Sequence, residues 1–207
     1  MQNYTFRFSV LLSALAAGLL FSCSNEPETD RVLRSFPSPL PEILKNDSAA
    51  FRGIGLGMNV NAVKQRCNPK TLTLGEADNL LYEDSLAGKT SFTYEFNFDS
   101  LGLKEIQVDI YQRDSADAEL MFGRFMDYFS RIYGQPESVQ EFRRWKVPGQ
   151  MRPTAIILKD ESAEYGYGKL ALTVYDTDMT DVIFIEGGEF QMGTPEDSLG
   201  RDSVRVF

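Results

Sequence analysis

The clearest pattern in the chain is a strict alternation of aromatic and polar side chains between residues 92 and 98. Its aromatic members are Phe92, Tyr94, Phe96 and Phe98, and the polar residues between them are Thr93, Glu95 and Asn97. A period of two is typical of a strand that buries one face. After a turn at residues 99–103, a second alternating set returns, made of Ile106, Val108 and Ile110. If both apolar sets share one face, Phe96 must oppose Ile106 and Tyr94 must oppose Val108.

This register makes Glu95 and Asp109 diagonal neighbours on the polar face of the hairpin, with backbones roughly 7–8 Å apart. The separation is near that of the two carboxylates in an inverting glycosidase. Polar residues on the exposed face of a sheet are nevertheless the ordinary case. We therefore expect the pair to lie on a solvated face, and keep catalysis as the alternative.

The segment after the hairpin has apolar residues at the spacing of one face of a helix. Asp114 or Ser115 can cap a helix that runs to Tyr133 and stops at Gly134. Its apolar stripe consists of Leu120, Met121, Phe125, Tyr128, Phe129 and Ile132. The stripe is predicted to pack on the aromatic strand, with a groove for a partner helix as the alternative.

The remaining elements predict the fold class. A short helix is expected from a cap at Asn59 to Arg66, and two strands at about residues 154–159 and 169–177. The order favours an α+β domain over residues 50–178, with a small antiparallel sheet and one long and one short helix on one face. Gly53, Gly55 and Gly57 lack the later glycine and lysine-serine pair of a phosphate-binding loop, which leaves a role in turns.

A local concentration of basic and aromatic side chains lies at Arg143-Arg144-Trp145-Lys146. One interpretation is an edge strand in which the stems of the basic side chains cover the indole. The other is a site for an acidic or glycan ligand, because tryptophan and arginine are enriched at interfaces. The candidate binding residues are therefore Arg143, Arg144 and Trp145.

The amino-acid composition limits the partners and catalytic groups that the chain can have. The 207 residues carry 21 basic and 30 acidic side chains, a net charge of −9, so nucleic acid is not an expected partner. The chain has no histidine, which excludes Ser-His-Asp and Cys-His nucleophiles and histidine-based metal sites within it. No metal, cofactor or catalytic residue is predicted. Cys67 is expected to be a small buried residue, with an intermolecular disulfide as the alternative.

The amino terminus carries an export signal. An uncharged, largely apolar run from Phe8 to Phe21 has the length of a signal-peptide core and is short for a bilayer span. It ends in Leu20-Phe21-Ser22-Cys23, which resembles the lipobox of bacterial lipoproteins. The resemblance implies cleavage after residue 22, acylation of Cys23, and attachment to the outer membrane on its periplasmic face or at the cell surface. An ordinary cleaved signal or a short uncleaved anchor is the alternative.

Residues 23–49 are expected to form a flexible tether behind the lipid. This segment holds four prolines, at positions 27, 37, 39 and 41, and such a density favours extended chain. Three acidic residues close behind Cys23 also resemble sorting signals that send some lipoproteins to the outer leaflet.

The last segment, residues 179–207, does not read as the end of the same domain. A strand from Asp181 leads into Gly187-Gly188-Glu189-Phe190-Gln191-Met192-Gly193. Residues 182–207 are similar to the opening of the formylglycine-generating enzyme (sulfatase-modifying factor) family, although Ser203 stands in the region where that family has a proline. The family's oxidising cysteines lie downstream of this opening, so the resemblance carries no catalytic residue onto this chain. It implies an incomplete second domain from a truncated gene or early-stop fragment; a strand added to the preceding sheet and a chance likeness are the alternatives.

Two functions follow from these observations. The first is a lipid-anchored, exported binding or assembly module without catalysis, whose partners are the membrane lipid on Cys23 and a protein or a glycan. The second is the front part of a formylglycine-generating-type protein, either an oxidase or an inactive scaffold such as a gliding-motility lipoprotein. A third interpretation is a small carbohydrate-binding or hydrolytic domain that uses Trp145.

Overall fold

The computed structural model describes residues 27–45, 49–86 and 90–178, together with the backbone of residues 182–184 and 190–192. The predicted signal peptide and Cys23 lie outside these residues. The fold is α+β, as predicted: helices and one large antiparallel sheet. The sheet is wider than expected, because it contains eight strands.

The helices of the described chain are α1 Glu28–Arg34, α2 Leu40–Leu44, α3 Val60–Arg66, α4 Ser115–Tyr133 and α5 Ser162–Tyr165. A 3-10 turn covers Pro69–Thr71. The strands of the large sheet are β1 Leu72–Gly75, β2 Asn79–Leu86, β3 Thr90–Asp99, β4 Gly102–Gln112, β5 Glu137–Val139, β6 Phe142–Val147, β7 Thr154–Asp160 and β8 Gly168–Asp176. Two short strands, β9 Val182–Phe184 and β10 Phe190–Met192, pair with each other in a separate antiparallel sheet.

Two meanders meet in the middle of the large sheet, whose spatial order is β1-β2-β3-β4-β8-β7-β6-β5. The first meander runs inward from β1 to β4. Helix α4 then carries the chain to the far edge, and the second meander runs back from β5 to β8, which pairs with β4. Helix α4 contacts β4, β6, β7 and β8, so it covers one face of the sheet where the two meanders join.

The aromatic hairpin has the predicted register. Phe96 pairs with Ile106, and Tyr94 pairs with Val108. The four alternating aromatic side chains of β3 are all buried on the face that the helices cover. We call this the closed face and the opposite one the open face.

Helix α4 begins and ends where the sequence predicts. The Asp114 side chain accepts a hydrogen bond from the Asp117 N–H at 3.0 Å, and Gly134 follows the last turn with a φ of +85°. The stripe prediction is wrong at Leu120, which is 57% exposed. It precedes the buried Met121 by one residue and is therefore turned about 100° away from it. Together with Phe36 and other residues, Leu120 lines a shallow groove of about 560 Å³ on the outer side of α4.

The prediction of an extended tether is wrong for residues 27–45. This segment forms α1 and α2, which bury Leu33, Leu40, Ile43 and Leu44 in the core. Its prolines do not prevent helix, because Pro27 and Pro39 precede the helices and Pro41 lies in the first turn of α2, where its missing N–H leaves no hydrogen bond unmade. The Arg124 guanidinium donates to the Ser38 carbonyl at 2.8 Å and ties the segment to α4.

The glycine-rich segment before α3 contacts the start of β4. The Gly57 N–H donates to the Leu103 carbonyl at 2.7 Å, and the Leu103 N–H donates to the Met58 carbonyl at 2.8 Å. A Cβ on Gly102 would lie 2.5 Å from the Gly57 carbonyl oxygen, and Gly102 has a φ of +110°. The two segments approach closely here because Gly102 carries no side chain.

Candidate binding surface

The open face of the sheet carries an ion network at one end of the paired central strands β4 and β8. Lys169 on β8 is the cross-strand partner of Tyr111 on β4. The Lys169 ammonium lies 2.9 Å from a Glu161 carboxylate oxygen and 3.5 Å from one of Asp109. Glu161 is shared with Lys159, whose ammonium lies 3.7 Å away. Lys169 is buried, and the carboxylates keep its charge compensated.

The chain between β7 and β8 is fixed around this network. The Ser162 N–H donates to the Asp160 side chain at 2.9 Å and starts α5. The Glu161 N–H donates to the Lys169 carbonyl at 2.9 Å, and the Lys169 N–H donates to the Ser162 hydroxyl at 3.1 Å. Gly166 then ends α5 in the left-handed conformation, which glycine adopts without strain.

Two partly exposed tyrosines flank that glycine. Tyr165 is 49% exposed and Tyr167 is 43% exposed. Their ring centroids are 5.9 Å apart, and Tyr167 lies 6.3 Å from the ring of Tyr111. The Lys169 ammonium lies 4.1 Å from the centroid of Tyr165, so the ring rests on a buried cation. We call Tyr111, Tyr165 and Tyr167 the tyrosine patch.

Burial and neighbouring charges shift the pKa values of Asp109 and Lys169. Burial, reinforced by the carboxylate of Glu161, raises the pKa of Asp109 above its ordinary value, and Lys169 only partly opposes this. Burial would lower the pKa of Lys169, but the hydrogen bond to Glu161 and the charge of Asp109 outweigh it and raise the pKa. Lys169 is therefore a charged ammonium at physiological pH and unsuited to act as a nucleophile or base.

Cys67 lies in the core, as predicted, and its thiol is free. Burial raises the pKa of Cys67 to about 11, although a hydrogen bond with Tyr82 opposes the shift. At neutral pH the group is a thiol rather than a thiolate, and only the thiolate is a good nucleophile. Cys67 thus acts as a small apolar side chain.

Glu95 and Asp109 lie on the open face in the predicted relation, since Thr93 pairs with Asp109 and Glu95 with Gln107. They belong to different networks. Glu95 accepts a short hydrogen bond from the Asn79 amide, which also donates to Asn97 at 2.8 Å. Asp109 instead faces Lys169. The arrangement does not make a glycosidase pair, because each carboxylate is engaged by its own partner.

The structure does not bring Arg143, Arg144 and Trp145 together as one site. They lie on β6, which is second from the edge, and neighbours on a strand point to opposite faces. Trp145 is buried, packs on Phe129 at 5.3 Å and donates from Nε1 to the Gly134 carbonyl at 3.1 Å. Arg144 is on the open face and its guanidinium lies 4.0 Å from Glu137. The indole therefore cannot stack on a ligand.

Sequence reasoning missed the tyrosine patch. The readable signal was Tyr165-Gly166-Tyr167, two aromatic residues around a glycine in a stretch between two strands. The position of Tyr111 beside them depends on the pairing of β4 with β8, which joins residues more than 50 positions apart and cannot be read from local pattern.

Within the described ranges, no group of three or more Asp, Glu, Cys or His side chains is arranged to hold a metal ion. Among the same residues, no helix combines the length and the apolar character needed to cross a bilayer. Comparison of the chain with models of protein families, with curated proteins and with solved structures found no match.

Proposed function

We propose that this protein is an exported lipoprotein, anchored to the outer membrane through acylated Cys23, that acts as a non-catalytic binding or assembly module. The observation that carries the binding role is the tyrosine patch, in which the half-exposed rings of Tyr165 and Tyr167 lie beside the ion pairs of the buried Lys169. The lipobox at residues 20–23 supports the anchor.

The patch has the properties of a preformed binding surface. Tyrosine offers a large apolar face and a polar hydroxyl, which is why it is frequent at interfaces. The Lys169 ammonium contacts the ring of Tyr165, and the ring centroids of Tyr111 and Tyr167 lie 6.3 Å apart. Rings that are already ordered lose little conformational freedom when a ligand covers them, so more of the contact energy appears as affinity.

The reactive groups beside the patch and the thiol of the core support binding rather than turnover. Lys169 holds a charge that two carboxylates stabilise, and Asp109 is engaged with it. The thiol of Cys67 is in the core and protonated at neutral pH. None of these three side chains is poised as a nucleophile.

The binding role is tested by co-sedimentation of the detergent-solubilised full chain with delipidated cell-envelope material from its source. Replacing both Tyr165 and Tyr167 by alanine should weaken binding at least tenfold. A matched control replaces Leu101 and Met151, two exposed apolar residues outside the patch, by alanine and should bind as the parent does. Equal binding by the tyrosine variant, with an unchanged melting temperature, would exclude the patch as the binding surface.

The anchor is tested by the intact mass of the native protein purified from its source cells. A lipidated species that begins at Cys23 is the expected result. A species cleaved elsewhere and free of lipid would remove the membrane part of the proposal while leaving the binding part.

The second candidate is the front part of a formylglycine-generating-type protein. The antiparallel pairing of Val182–Phe184 with Phe190–Met192 favours it, because the double glycine of the motif falls between the two strands. A native mass well above that of the 207 residues, with a reading frame that continues past Phe207, would support this candidate. Cysteines near the end of that frame would indicate an oxidase, and their absence would indicate a scaffold.

A further inference from the structure

We propose that the ligand of the tyrosine patch is a neutral oligosaccharide. The inference rests on the proposed binding function and adds the chemical class of the ligand. It is carried by the size of the patch, by its charge and by the hydrogen-bonding groups beside the rings.

The exposed rings of the patch supply only part of the area of a standard protein interface. A fully buried aromatic side chain removes about 150–250 Å² from water, so a half-exposed tyrosine offers roughly 100 Å². Tyr165 and Tyr167 together therefore provide about a quarter of the roughly 800 Å² that each partner buries in a standard protein complex. The open face next to them continues as the ion pairs of Lys169 with Asp109 and Glu161. An area of this size suits a few sugar rings.

The charge of the site favours a neutral ligand. The ammonium of Lys169 is paired with Asp109 and Glu161, and that of Lys159 lies 2.5 Å from Glu164. Carboxylates outnumber ammonium groups around the rings, and the whole chain carries a net charge of −9. An anionic sugar or phosphate would meet repulsion here instead of an unpaired cation.

The groups beside the rings match the two surfaces of a sugar. The C–H face of a pyranose packs on the electron-rich face of an aromatic ring, and the rings of Tyr165 and Tyr167 are about half exposed. Sugar hydroxyls need acceptors and donors at the edge of that contact. The Asp109 side chain is 39% exposed despite its contact with Lys169, and it lies two residues from Tyr111 on the same face of β4. A carboxylate and a phenol thus lie next to the aromatic faces.

The arrangement of the rings favours a chain of sugars over a single one. Adjacent centroids are 5.9 and 6.3 Å apart, and the ring planes are inclined by 56° and 40°. One sugar covers one ring, so neighbouring rings at different inclinations offer contacts to successive units of a twisted chain.

The test is titration of the full-length lipoprotein, in a zwitterionic detergent without a sugar head group, with soluble hexasaccharides. The panel contains the glucose hexamers with α-1,4 and β-1,4 linkages, the β-1,4 xylose hexamer and the β-1,4 N-acetylglucosamine hexamer, and oligogalacturonate as the anionic comparison. NMR of the tyrosine rings reports the site and calorimetry reports the affinity. At least one neutral hexamer should shift the ring signals of Tyr165 and Tyr167, and oligogalacturonate should not.

Variants separate stacking from folding. Tyr165→Ala or Tyr167→Ala should weaken the bound hexamer at least tenfold, and Tyr165→Phe should weaken it less, because the ring face remains. The Leu101→Ala and Met151→Ala control should bind as the parent does. Each variant is accepted only with an unchanged melting temperature.

The inference is overturned if none of the neutral hexamers shifts the tyrosine signals at 10 mM, or if oligogalacturonate binds more tightly than they do. Its failure is distinguishable from that of the proposed function. If the double tyrosine variant still loses its binding to envelope material, the binding role stands with another ligand class. If that variant binds normally, both the role of the patch and its ligand are rejected.

Discussion

The two faces of the same sheet are held in place by different forces. On the closed face, neighbouring aromatic rings of β3 pack at 5.7 and 5.8 Å and are buried, with Phe51 and the Arg52 guanidinium against Tyr94. On the open face, the same strands are linked by ion pairs and amide hydrogen bonds, among them Lys169 with Asp109 and Asn79 with Asn97. Apolar burial stabilises the first face in proportion to area. The second gains little net stability, because its charges lose hydration when they pair, and it mainly fixes geometry.

This difference explains where a binding surface can form. A closed face has no room for a ligand, since its contacts are already made. The open face keeps polar groups in fixed positions beside exposed rings. Substitutions on the closed face should therefore change stability most, whereas those on the open face should change it little and affect recognition.

The largest expected effect is on the closed face. Phe96→Ala should lower the free energy of unfolding by about 3–5 kcal/mol, because it removes a fully buried aromatic ring and leaves a cavity. Urea denaturation measures the change. Gln107→Ala, an exposed position on the open face of the neighbouring strand, should stay within about 0.5 kcal/mol of the parent. Similar losses at both positions would contradict the distinction between the faces.

The next effect is at the contact between Gly57 and Gly102. Gly102→Ala should destabilise the fold by about 2–3 kcal/mol, because its Cβ would lie 2.5 Å from a backbone oxygen and its φ is +110°. Gly123→Ala is the matched control: it is exposed on α4, with nothing within 4 Å of the added Cβ. It should stabilise the protein by about 0.5–1 kcal/mol through helix propensity. Thermal unfolding of the two variants should shift in opposite directions.

A smaller effect is expected in the ion network. Lys169→Met should reduce stability by about 1–2 kcal/mol, since Asp109 loses its partner while Glu161 keeps Lys159. Lys146→Met is the control, because its exposed ion pair with Glu137 should contribute less than about 1 kcal/mol. Adding Asp109→Asn to the Lys169 variant should recover part of the loss. If the double variant recovers none of the lost stability, the loss in Lys169→Met is explained by packing and not by charge.

The smallest effect at neutral pH concerns Cys67. Burial raises its pKa to about 11, so the folded protein holds this proton more tightly than the unfolded chain, where the pKa is about 8.5. The resulting stability is complete below about pH 8.5 and is lost as the pH rises towards 11. A Cys67→Ala variant should lack this part of the alkaline decline.

The same cysteine allows a thiol count. Ellman's reagent at pH 8 should find no reactive thiol in the folded native lipoprotein and one after denaturation. Two thiols after denaturation would show that Cys23 carries no lipid. Rapid labelling of the folded protein would contradict the burial of Cys67.

Local pattern was sufficient for the elements whose burial is regular. The alternation in β3 and the cap at Asp114 specify a strand and a helix without reference to distant residues. In β2, Leu80 and Leu81 are adjacent, which hides the period of two, and the strand was not predicted. Strands β1 and β5 are short edges whose residues are all exposed, so they carry no burial pattern at all.

The candidate site was less accessible to such reasoning. Its rings come from β4 and from the turn before β8, and only the order of strands in the sheet brings them together. The binding-site interpretation of the basic cluster at residues 143–146 requires neighbouring side chains of one strand to share a surface. On a strand they face opposite ways, so Trp145 entered the core and Arg144 did not.

The helical segment at residues 27–45 has a consequence for how the protein would be presented to its surroundings. If Cys23 is acylated as proposed, only four peptide units separate the lipid from Pro27, and they can span at most about 14 Å. The anchored domain would then be confined to a shell about one helix diameter from the bilayer surface. Its neighbours in that shell are lipid head groups and membrane proteins. The short tether would limit how the domain can be oriented towards them, and this limit rather than free diffusion would govern their encounters.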